Sequence, residues 1–527
     1  MPRPSTLSTP RPLPFAFAAA LLLATAAGPA AAAAPEEPAP ASLASYQRAR
    51  QALDRVAAAL GGAERLLDLS GIAFAYDAEG IARYQGAVPH PPYDAVTTEH
   101  SLLLDLETGR VRDDERVAFP ELAFGVLRLL ADDGGLVVDG GLVVDADAGT
   151  ARRAPAMGIA DFRRSFRRSP HLVLREALRN SDSLRWLGQV ELAGRPHDLV
   201  SFDYGERELA LYLDAAGGVL RRHELLADDL LLGDAAVTAE FDYRPDGSGI
   251  PVRMRQWEGG VESMVATYTR YELGPRLAAA AFALPEGIEL AAEPPPAAAE
   301  PLPPPAGPQV ETLAPGVFRV GRLGGQDYAS LVVDLGEQVL VVEGPLGVAA
   351  GREALAAVAE LLPAKPVRWV VATHHHGDHT GGLPAFGEAG VTVVTTPGNE
   401  SFVRSLLAAP RTLQPGAGLP HGAATEVEVV RDGRRTFSGG GRVVEVLDVG
   451  PNPHAREHLV AWLPAERLLF QGDLVVFAAD GSIPGLRAQG RRLLEEIDAR
   501  SLDVERIAGV HGPTGTLTAL REAAAGQ

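Results

Sequence analysis

The feature that most constrains this chain is a histidine-rich segment that directly follows an apolar stretch. Residues 367–373 read VRWVVAT, which is typical of a buried strand, and residues 374–379 continue as HHHGDH. His374 and His376 can converge on one metal ion, whereas Asp378 and His379 are offset and can reach a second. Open α/β folds place their sites in loops after strands. The segment therefore predicts a metal site at a strand end rather than a solvated polar loop.

Further metal-ligating residues follow other predicted strands of the same half. His454 precedes an apolar run at residues 459–463, Asp473 follows one at 468–471, and His511 follows one at 507–510. A lone histidine in such a place is usually structural, but three separate strand regions that each supply a histidine or an aspartate indicate one shared site.

The composition removes several other classes of function. The chain has no cysteine, which excludes disulfides, cysteine nucleophiles and thiolate zinc sites. Its 48 basic and 68 acidic side chains give a net charge of −20, which argues against nucleic-acid binding because no basic excess is available to neutralise phosphates. A metal would therefore be held by histidine, carboxylate, carbonyl or water.

These motifs occur in an order that resembles the metallo-β-lactamase superfamily over residues 309–527. They are the HxHxDH segment, then GPNPHAREHLVAWLP, LLFQGD and GVHG. The resemblance implies an αββα sandwich with two metal ions between the edges of its sheets. It implies a first ion held by His374, His376 and His454, a second held by Asp378, His379 and His511, and a bridging Asp473. His375 and His458 have no ligand counterpart and are predicted to lie behind the ligands or on the surface.

The resemblance also implies a reaction class. The expected function is metal-dependent hydrolysis of a small-molecule ester, thioester or lactone by a hydroxide that bridges two ions. Asp378 is then both a ligand and the catalytic proton acceptor. Two Zn²⁺ ions suit the histidine and carboxylate ligands, and iron or manganese would suit them as well.

Three alternatives stay open from the sequence. β-Lactamases of this superfamily often have a cysteine ligand followed by a lysine, but here Asp473 is followed by LVVF and the single lysine, Lys365, is elsewhere. An iron-dependent persulfide dioxygenase shares the fold but needs fewer ligands than this chain supplies. A metal-bound binding protein for an apolar envelope ligand is the third.

The chain divides into four predicted segments. Residues 1–34 have arginines, an alanine- and leucine-rich run and Ala-x-Ala points, the pattern of a secretory signal peptide. A module at residues 40–290 precedes a Pro/Ala-rich linker at 291–308, and the hydrolase domain spans 309–527. We therefore expect a periplasmic or secreted protein with no transmembrane span after signal cleavage.

The first module is predicted to be an antiparallel β-rich fold with a packed helix. Leu53, Val56 and Leu60 recur at helical spacing before Gly61 and Gly62, and turn residues then separate short apolar runs. The segments LYLDAAGGVLRR and AEFDYRPDGSGIPVRMR resemble the half-barrel of periplasmic lipoprotein carriers. That resemblance implies an apolar face that accepts a lipid-like ligand.

Overall fold

The computed structural model describes residues 40–120, 123–130, 142–145, 150–153, 165–290, 307–413 and 425–526. The predicted signal peptide, most of the predicted linker and the loop histidine His421 lie outside these ranges. Among the residues described, no helix combines the length and the apolar character that crossing a membrane requires.

The N-terminal module is built on one sheet of fourteen strands. Neighbouring strands pair antiparallel, except β6 and β14, which are parallel. From one edge to the other the sheet order is 14-6-5-4-3-2-1-13-12-11-10-9-8-7. The strands are β1 Gly71–Ile81, β2 Ala95–Asp105, β3 Val111–Ala118, β4 Ala123–Leu130, β5 Leu142–Asp145, β6 Thr150–Arg153, β7 Arg185–Leu192, β8 Arg195–Tyr204, β9 Arg207–Asp214, β10 Leu220–Asp229, β11 Gly233–Tyr243, β12 Pro251–Glu258, β13 Val261–Leu273 and β14 Glu289–Leu290.

Three helices cover one face of this sheet: α1 Ala41–Ala59, α2 Ala63–Leu67 and α3 Pro170–Arg179. The predicted helical spacing is confirmed, because Leu53 and Val56 of α1 are buried against apolar residues of β8 and β9. Alternate residues of a strand face the same side, so Val200 and Phe202 both point into this core. The prediction of an antiparallel β-rich module with a packed helix is thus confirmed.

The described part of this module does not support an open apolar trough for a lipid. The apolar side chains of β8 and β9 are already packed against the module's own helices. A cavity of about 580 Å³ in this module has a mixed lining in which charged groups, including Arg207, Asp228 and Glu258, stand among apolar side chains. An acyl chain would leave such groups without water, which costs free energy.

The C-terminal module contains two further sheets. One is β15 Gln309–Ala314, β16 Val317–Gly321, β17 Ser330–Asp334, β18 Val339–Val342, β19 Val367–Val371, β20 Thr392–Thr395 and β21 Val427–Val429, in that order. The other is β22 Arg434–Gly439, β23 Arg442–Asp448, β24 Leu459–Leu463, β25 Leu468–Gln471, β26 Arg506–Gly509 and β27 Gly515–Thr516, also in order. The strands β18 to β21 are parallel to one another, as are β25 and β26.

The two sheets pack face to face and carry helices on their outer sides. Val342 and Val371 of the first sheet share one core with Leu459 and Phe470 of the second. The outer face of the first sheet packs on α4 Val348–Leu361, α6 Leu383–Glu388 and α7 Glu400–Ala408, and that of the second on α8 Ala488–Ala499 and α9 Leu517–Ala525. The predicted αββα sandwich is confirmed.

Candidate metal centre

The candidate site is formed where strands of both sheets end at one edge of the sandwich. His374 and His376 follow β19, and the single helical turn α5 Gly377–Thr380 carries Asp378 and His379. The other sheet contributes His454 from the loop before β24, Asp473 from the residues after β25 and His511 from those after β26. The structure thus brings together all seven side chains that the sequence singled out.

A first group of candidate ligands consists of His374, His376, His454 and Asp473. Their nearest nitrogen and oxygen atoms all lie within 4.8 Å of one another. The Nε2 atoms of His374 and His454 are 3.1 Å apart, and His454 Nε2 is 3.4 Å from Asp473 Oδ2. Such separations match those of ligands about 2 Å from a shared tetrahedral ion.

A second group shares Asp473 with the first and adds Asp378, His379 and His511. His379 Nε2 lies 3.1 Å from Asp473 Oδ2 and 3.5 Å from Asp378 Oδ2. His511 Nε2 lies 3.3 Å from the other oxygen, Asp473 Oδ1. Oδ2 of Asp473 therefore lies near a histidine of each group and Oδ1 near His511 of the second, so the carboxylate stands between the two groups.

Hydrogen bonds on the far side of several of the imidazoles fix which nitrogen faces the centre. His374 Nδ1 is 2.9 Å from Thr373 Oγ1, and His511 Nδ1 is 2.8 Å from the carbonyl of Asp327. His379 Nδ1 lies 3.2 Å from the carboxylate of Glu343. Partners of this kind orient metal-binding histidines and increase their basicity.

The chemistry of the donor set fits metal ions. His376 Nδ1 is buried and has no hydrogen-bond partner among the residues described. His379 Nε2 and Asp473 Oδ1 approach other candidate ligands without making a hydrogen bond within that same part of the chain. Buried polar atoms are normally paired, so several convergent unpaired ones indicate that a cation completes the group.

The electrostatics differ between the two groups. Burial, reinforced by neighbouring imidazoles, holds the pKa of His374 and of His376 well below the usual histidine range. These rings are therefore neutral, the form that binds metals. Burial opposes the charge on His379, but Asp473 and Glu343 outweigh it and raise the pKa of His379, while His379 keeps the pKa of Asp473 low despite its burial.

The two histidines without a predicted ligand role lie in the interior. His458 is fully buried, and its ring stacks on His374 with centroids 4.5 Å apart and planes at 14°. His375 is also buried and meets Phe402 edge-on at 6.0 Å. Both pack behind the ligands rather than on the surface.

Besides Thr373 and Asp327, sequence reasoning missed other residues that contact the ligands. Glu343 follows the apolar strand β18, a signal that could have been noticed because the other ligands also follow strands. The hydroxyl of Tyr328 donates to Asp378 Oδ2 at 2.9 Å. Gln85 and Gly86 of the N-terminal module contact Asp378 and His376, respectively. No local sequence pattern in their loop predicts these contacts.

A cavity of about 290 Å³ opens beside Asp473. Apolar side chains of residues 474–478 and 483–486, after β25, form most of its wall, including Val476, Phe477 and Ile483. Arg487 contributes a positive charge to the same cavity. A substrate with an apolar body and a polar or anionic group fits these surroundings.

A family model described as the metallo-beta-lactamase superfamily matches residues 323–511. A metallo-beta-lactamase from Pontibacter korlensis has 22% identity and a TM-score of 0.32, with 42% of this chain and 100% of that chain covered. One from Hirschia baltica has 18% identity and a TM-score of 0.31, with 42% and 97% covered. A search of curated protein sequences gives no match.

Proposed function

The C-terminal module belongs to the metallo-β-lactamase superfamily, and on that premise we propose that the protein is a binuclear metallo-hydrolase. The observation that carries the proposal is the position of Asp473, whose carboxylate lies within 3.4 Å of histidine nitrogens from both groups of candidate ligands. A mononuclear enzyme has no need for the second group, formed by Asp378, His379 and His511.

The donor set favours zinc. Most of its atoms are imidazole nitrogens, and the remainder are carboxylate oxygens, a combination that zinc binds well. When bound, two such ions would lower the pKa of a water molecule between them and polarise the oxygen of the substrate.

The chain's own residues supply the remaining functions. Asp378 lies at the centre and accepts a hydrogen bond from Gln85 on Oδ1 and one from Tyr328 on Oδ2. Each oxygen keeps a further lone pair, so Asp378 can take the proton of an attacking water. The apolar walls around Val476 and Phe477 would exclude bulk water and hold the substrate beside Asp473.

We propose an ester, thioester or lactone as the substrate. The cavity offers an apolar wall for an acyl group and the cation of Arg487 for an anionic end. β-Lactam hydrolysis is less favoured, because Asp473 is followed by apolar residues and the one lysine, Lys365, binds the carboxylate of Asp334 at 2.7 and 2.8 Å.

Export is part of the same proposal. Residues 1–34 have the composition of a secretory signal peptide, which supports a periplasmic or secreted hydrolase. N-terminal sequencing of the protein recovered from each cell fraction tests this. A mature chain that begins near residue 35 outside the cytoplasm is expected, and an intact leader on cytoplasmic protein would contradict it.

Metal content per chain is the decisive measurement for the proposed function. We expect two zinc equivalents in the wild-type protein and one or fewer in Asp473→Ala, with hydrolysis of a lactone and ester panel lost in the variant. Asp503→Ala is a matched control, because the Asp503 side chain is 76% exposed and pairs with Arg467. A single iron would instead indicate the dioxygenase, and a chain that binds no metal would refute the proposed function.

A further inference from the structure

One loop of the N-terminal module reaches the metal centre. It connects β1 to β2, and residues 84–87 contact the C-terminal module at consecutive positions. The carbonyl of Tyr84 accepts a hydrogen bond from the amide of Gly377 at 3.2 Å, and that of Ala87 accepts one from the amide of Arg456 at 2.9 Å. These bonds attach the loop to both sheets of the sandwich, because Gly377 follows β19 and Arg456 precedes β24.

Between these two anchors, Gly86 contacts a candidate ligand. Its carbonyl oxygen lies 2.9 Å from Nε2 of His376, a side chain that is buried. A carbonyl can only accept, so the proton of this ring is on Nε2. Nδ1 of His376 then carries the free lone pair, and it is the atom that lacks a partner among the described residues. The loop thus sets the tautomer that metal binding requires.

Gln85 contacts a ligand of the second group. Its amide nitrogen donates to Asp378 Oδ1 at 2.7 Å, while Tyr328 donates to Oδ2 from the other side. Two donors on opposite oxygens fix the plane of the carboxylate. The orientation of Asp378 is therefore shared between the two modules, with one donor from each.

The loop is held in this position from its own side. The amide of Ala87 donates to the carboxylate of Asp94 at 2.6 Å, and the amide of Ala82 donates to the carbonyl of Asp94 at 2.8 Å. A Cβ atom on Gly86 would lie 2.7 Å from the carbonyl oxygen of Ala82, so the turn has no room for a side chain. The phenol of Tyr84 also donates to Asp229 at 3.1 Å.

We propose that the N-terminal module completes the metal centre, with Gln85 and Gly86 as positioning residues for Asp378 and His376. The inference rests on the proposed binuclear function. It predicts that the first module is part of the catalytic unit and not an accessory that only docks the enzyme elsewhere. Outer contacts of this kind typically change metal affinity by about 10- to 100-fold.

Substitution of Gln85 in the full-length protein tests the contact with Asp378. Gln85→Met keeps the length of the side chain and removes the donor, and because Gln85 is exposed the fold is expected to tolerate it. We expect the dissociation constant of the zinc held by Asp378, His379 and His511 to rise about tenfold in chelator competition, with that of the other zinc unchanged. Gln51→Met, on the exposed face of α1, is the matched control.

Gly86→Ala tests the contact with His376 in the same assay. The added methyl group displaces the loop carbonyl, so the affinity for the zinc held by His374, His376 and His454 is expected to fall and the Co²⁺-substituted protein to show an altered d–d spectrum. Gly125→Ala is the control, because a Cβ at Gly125 meets no described atom closer than 3.6 Å. Wild-type affinities and spectra in both Gln85→Met and Gly86→Ala would overturn the inference. A wild-type protein that binds no zinc would instead refute the proposed function.

Discussion

At the scale of single residues, Glu343 combines an unusual backbone conformation with a buried side chain beside the candidate metal centre. It has φ of +82°, a region that residues other than glycine rarely adopt, and its side chain is fully buried. Its carboxylate lies 3.2 Å from His379 Nδ1, and its carbonyl accepts a hydrogen bond from Ser330 at 2.9 Å. Strain of this kind persists where the surroundings fix the residue, commonly at functional sites. We interpret Glu343 as the group that orients His379.

The first prediction follows from this contact. Glu343→Gln keeps the size of the side chain but removes the charge that holds the Nδ1 proton of His379. We expect the second zinc to bind about 10- to 100-fold more weakly, as measured by chelator competition. Glu360→Gln, an exposed change on α4, should leave the affinity unchanged. Equal affinities for Glu343→Gln and the wild type would show that Glu343 has no such role.

A second prediction concerns histidines far from the metal centre. Burial lowers the pKa of His171 and of His223 from 6.5 to about 4. Between these values the unfolded chain takes up a proton that the folded chain does not, so the free energy of unfolding falls as the pH drops. Each histidine accounts for about 2 kcal/mol of this loss between pH 7.5 and pH 5.

Urea unfolding at these two pH values checks the second prediction. The loss of stability should be about 2 kcal/mol smaller in His171→Gln and in His223→Gln than in the wild type. His90→Gln, at an exposed position, is the control. Identical losses in the wild type and both buried-site variants would refute the assignment. Protonation of the metal ligands contributes equally to the loss of stability in the wild type and the variants, so it cancels in this comparison.

The sequence identified the candidate ligands more completely than their supporting residues. Each ligand follows or precedes an apolar run, so strand ends could be read directly for Asp473 and His511. Glu343 has the same signal after β18, yet a single carboxylate outside the histidine motifs carries little weight alone. Gln85 could not be found from sequence, because its contact with Asp378 joins positions 293 residues apart.

At the scale of elements, close backbone packing holds the helical turn that carries Asp378 and His379. A Cβ atom on Gly381, the residue after α5, would lie 1.8 Å from the carbonyl oxygen of Leu346. The amide of Leu346 in turn donates to the carbonyl of Asp378 at 2.8 Å. The segment after β18 and the helical turn after β19 are therefore in direct backbone contact. This contact fixes the position of α5 relative to the sheets.

The third prediction tests this packing. Gly381→Ala forces α5 away from Leu346 and should reduce the free energy of unfolding by about 1–3 kcal/mol, with loss of zinc from the second group. Gly307→Ala is a suitable comparison, since no described atom lies within 4 Å of a Cβ at that exposed position. Denaturant unfolding and metal content are the two measurements, and a fully metallated variant of normal stability would contradict the prediction.

The sequence predicted the elements well where the apolar pattern was continuous. The helix expected before Gly61 is found at Ala41–Ala59, and the strands expected at 459–463 and 468–471 have those same bounds. The size of the first sheet could not be predicted, because hairpin signals identify pairs of strands but not how many pairs join. The functional role of the loop after β1 was missed because its contacts are made in another module.

At the scale of the whole molecule, the hairpin between β10 and β11 joins the two modules. Leu231 at its tip is 2% exposed and belongs to the apolar core beneath α4 and α6. The guanidinium of Arg411 donates to the carbonyls of Asp229 and Leu230 at 3.2 and 3.1 Å. The carboxylate of Asp234 accepts from the amide and the hydroxyl of Thr412 at 2.8 and 2.6 Å. A shared core and paired polar groups resemble packing within one domain.

The Pro/Ala-rich segment indicated a boundary between modules, and the predicted boundaries at 290 and 309 stay predictions. A composition break shows where few local contacts are expected, but it carries no information about surfaces that meet elsewhere. Contacts such as that of Leu231 depend on the complete fold of both modules. This is why the sequence predicted a linker between two modules, whereas in the described residues Leu231 and the partly buried Tyr84 of the first module pack into the core of the second.

The fourth prediction separates these two views of the molecule. Leu231→Ala leaves a cavity in the shared core, and large-to-small changes of this type cost about 2–5 kcal/mol. If the modules unfold together, calorimetry of the wild-type protein shows one transition, and this variant lowers its midpoint for both modules or divides it in two.

Leu226→Ala, on the same hairpin but 46% exposed, should leave the midpoint almost unchanged. Two transitions in the wild type, with Leu231→Ala affecting one alone, would show independent modules. Cooperative unfolding would mean that the loop carrying Gln85 and Gly86 is held against the metal ligands by the stability of the whole chain.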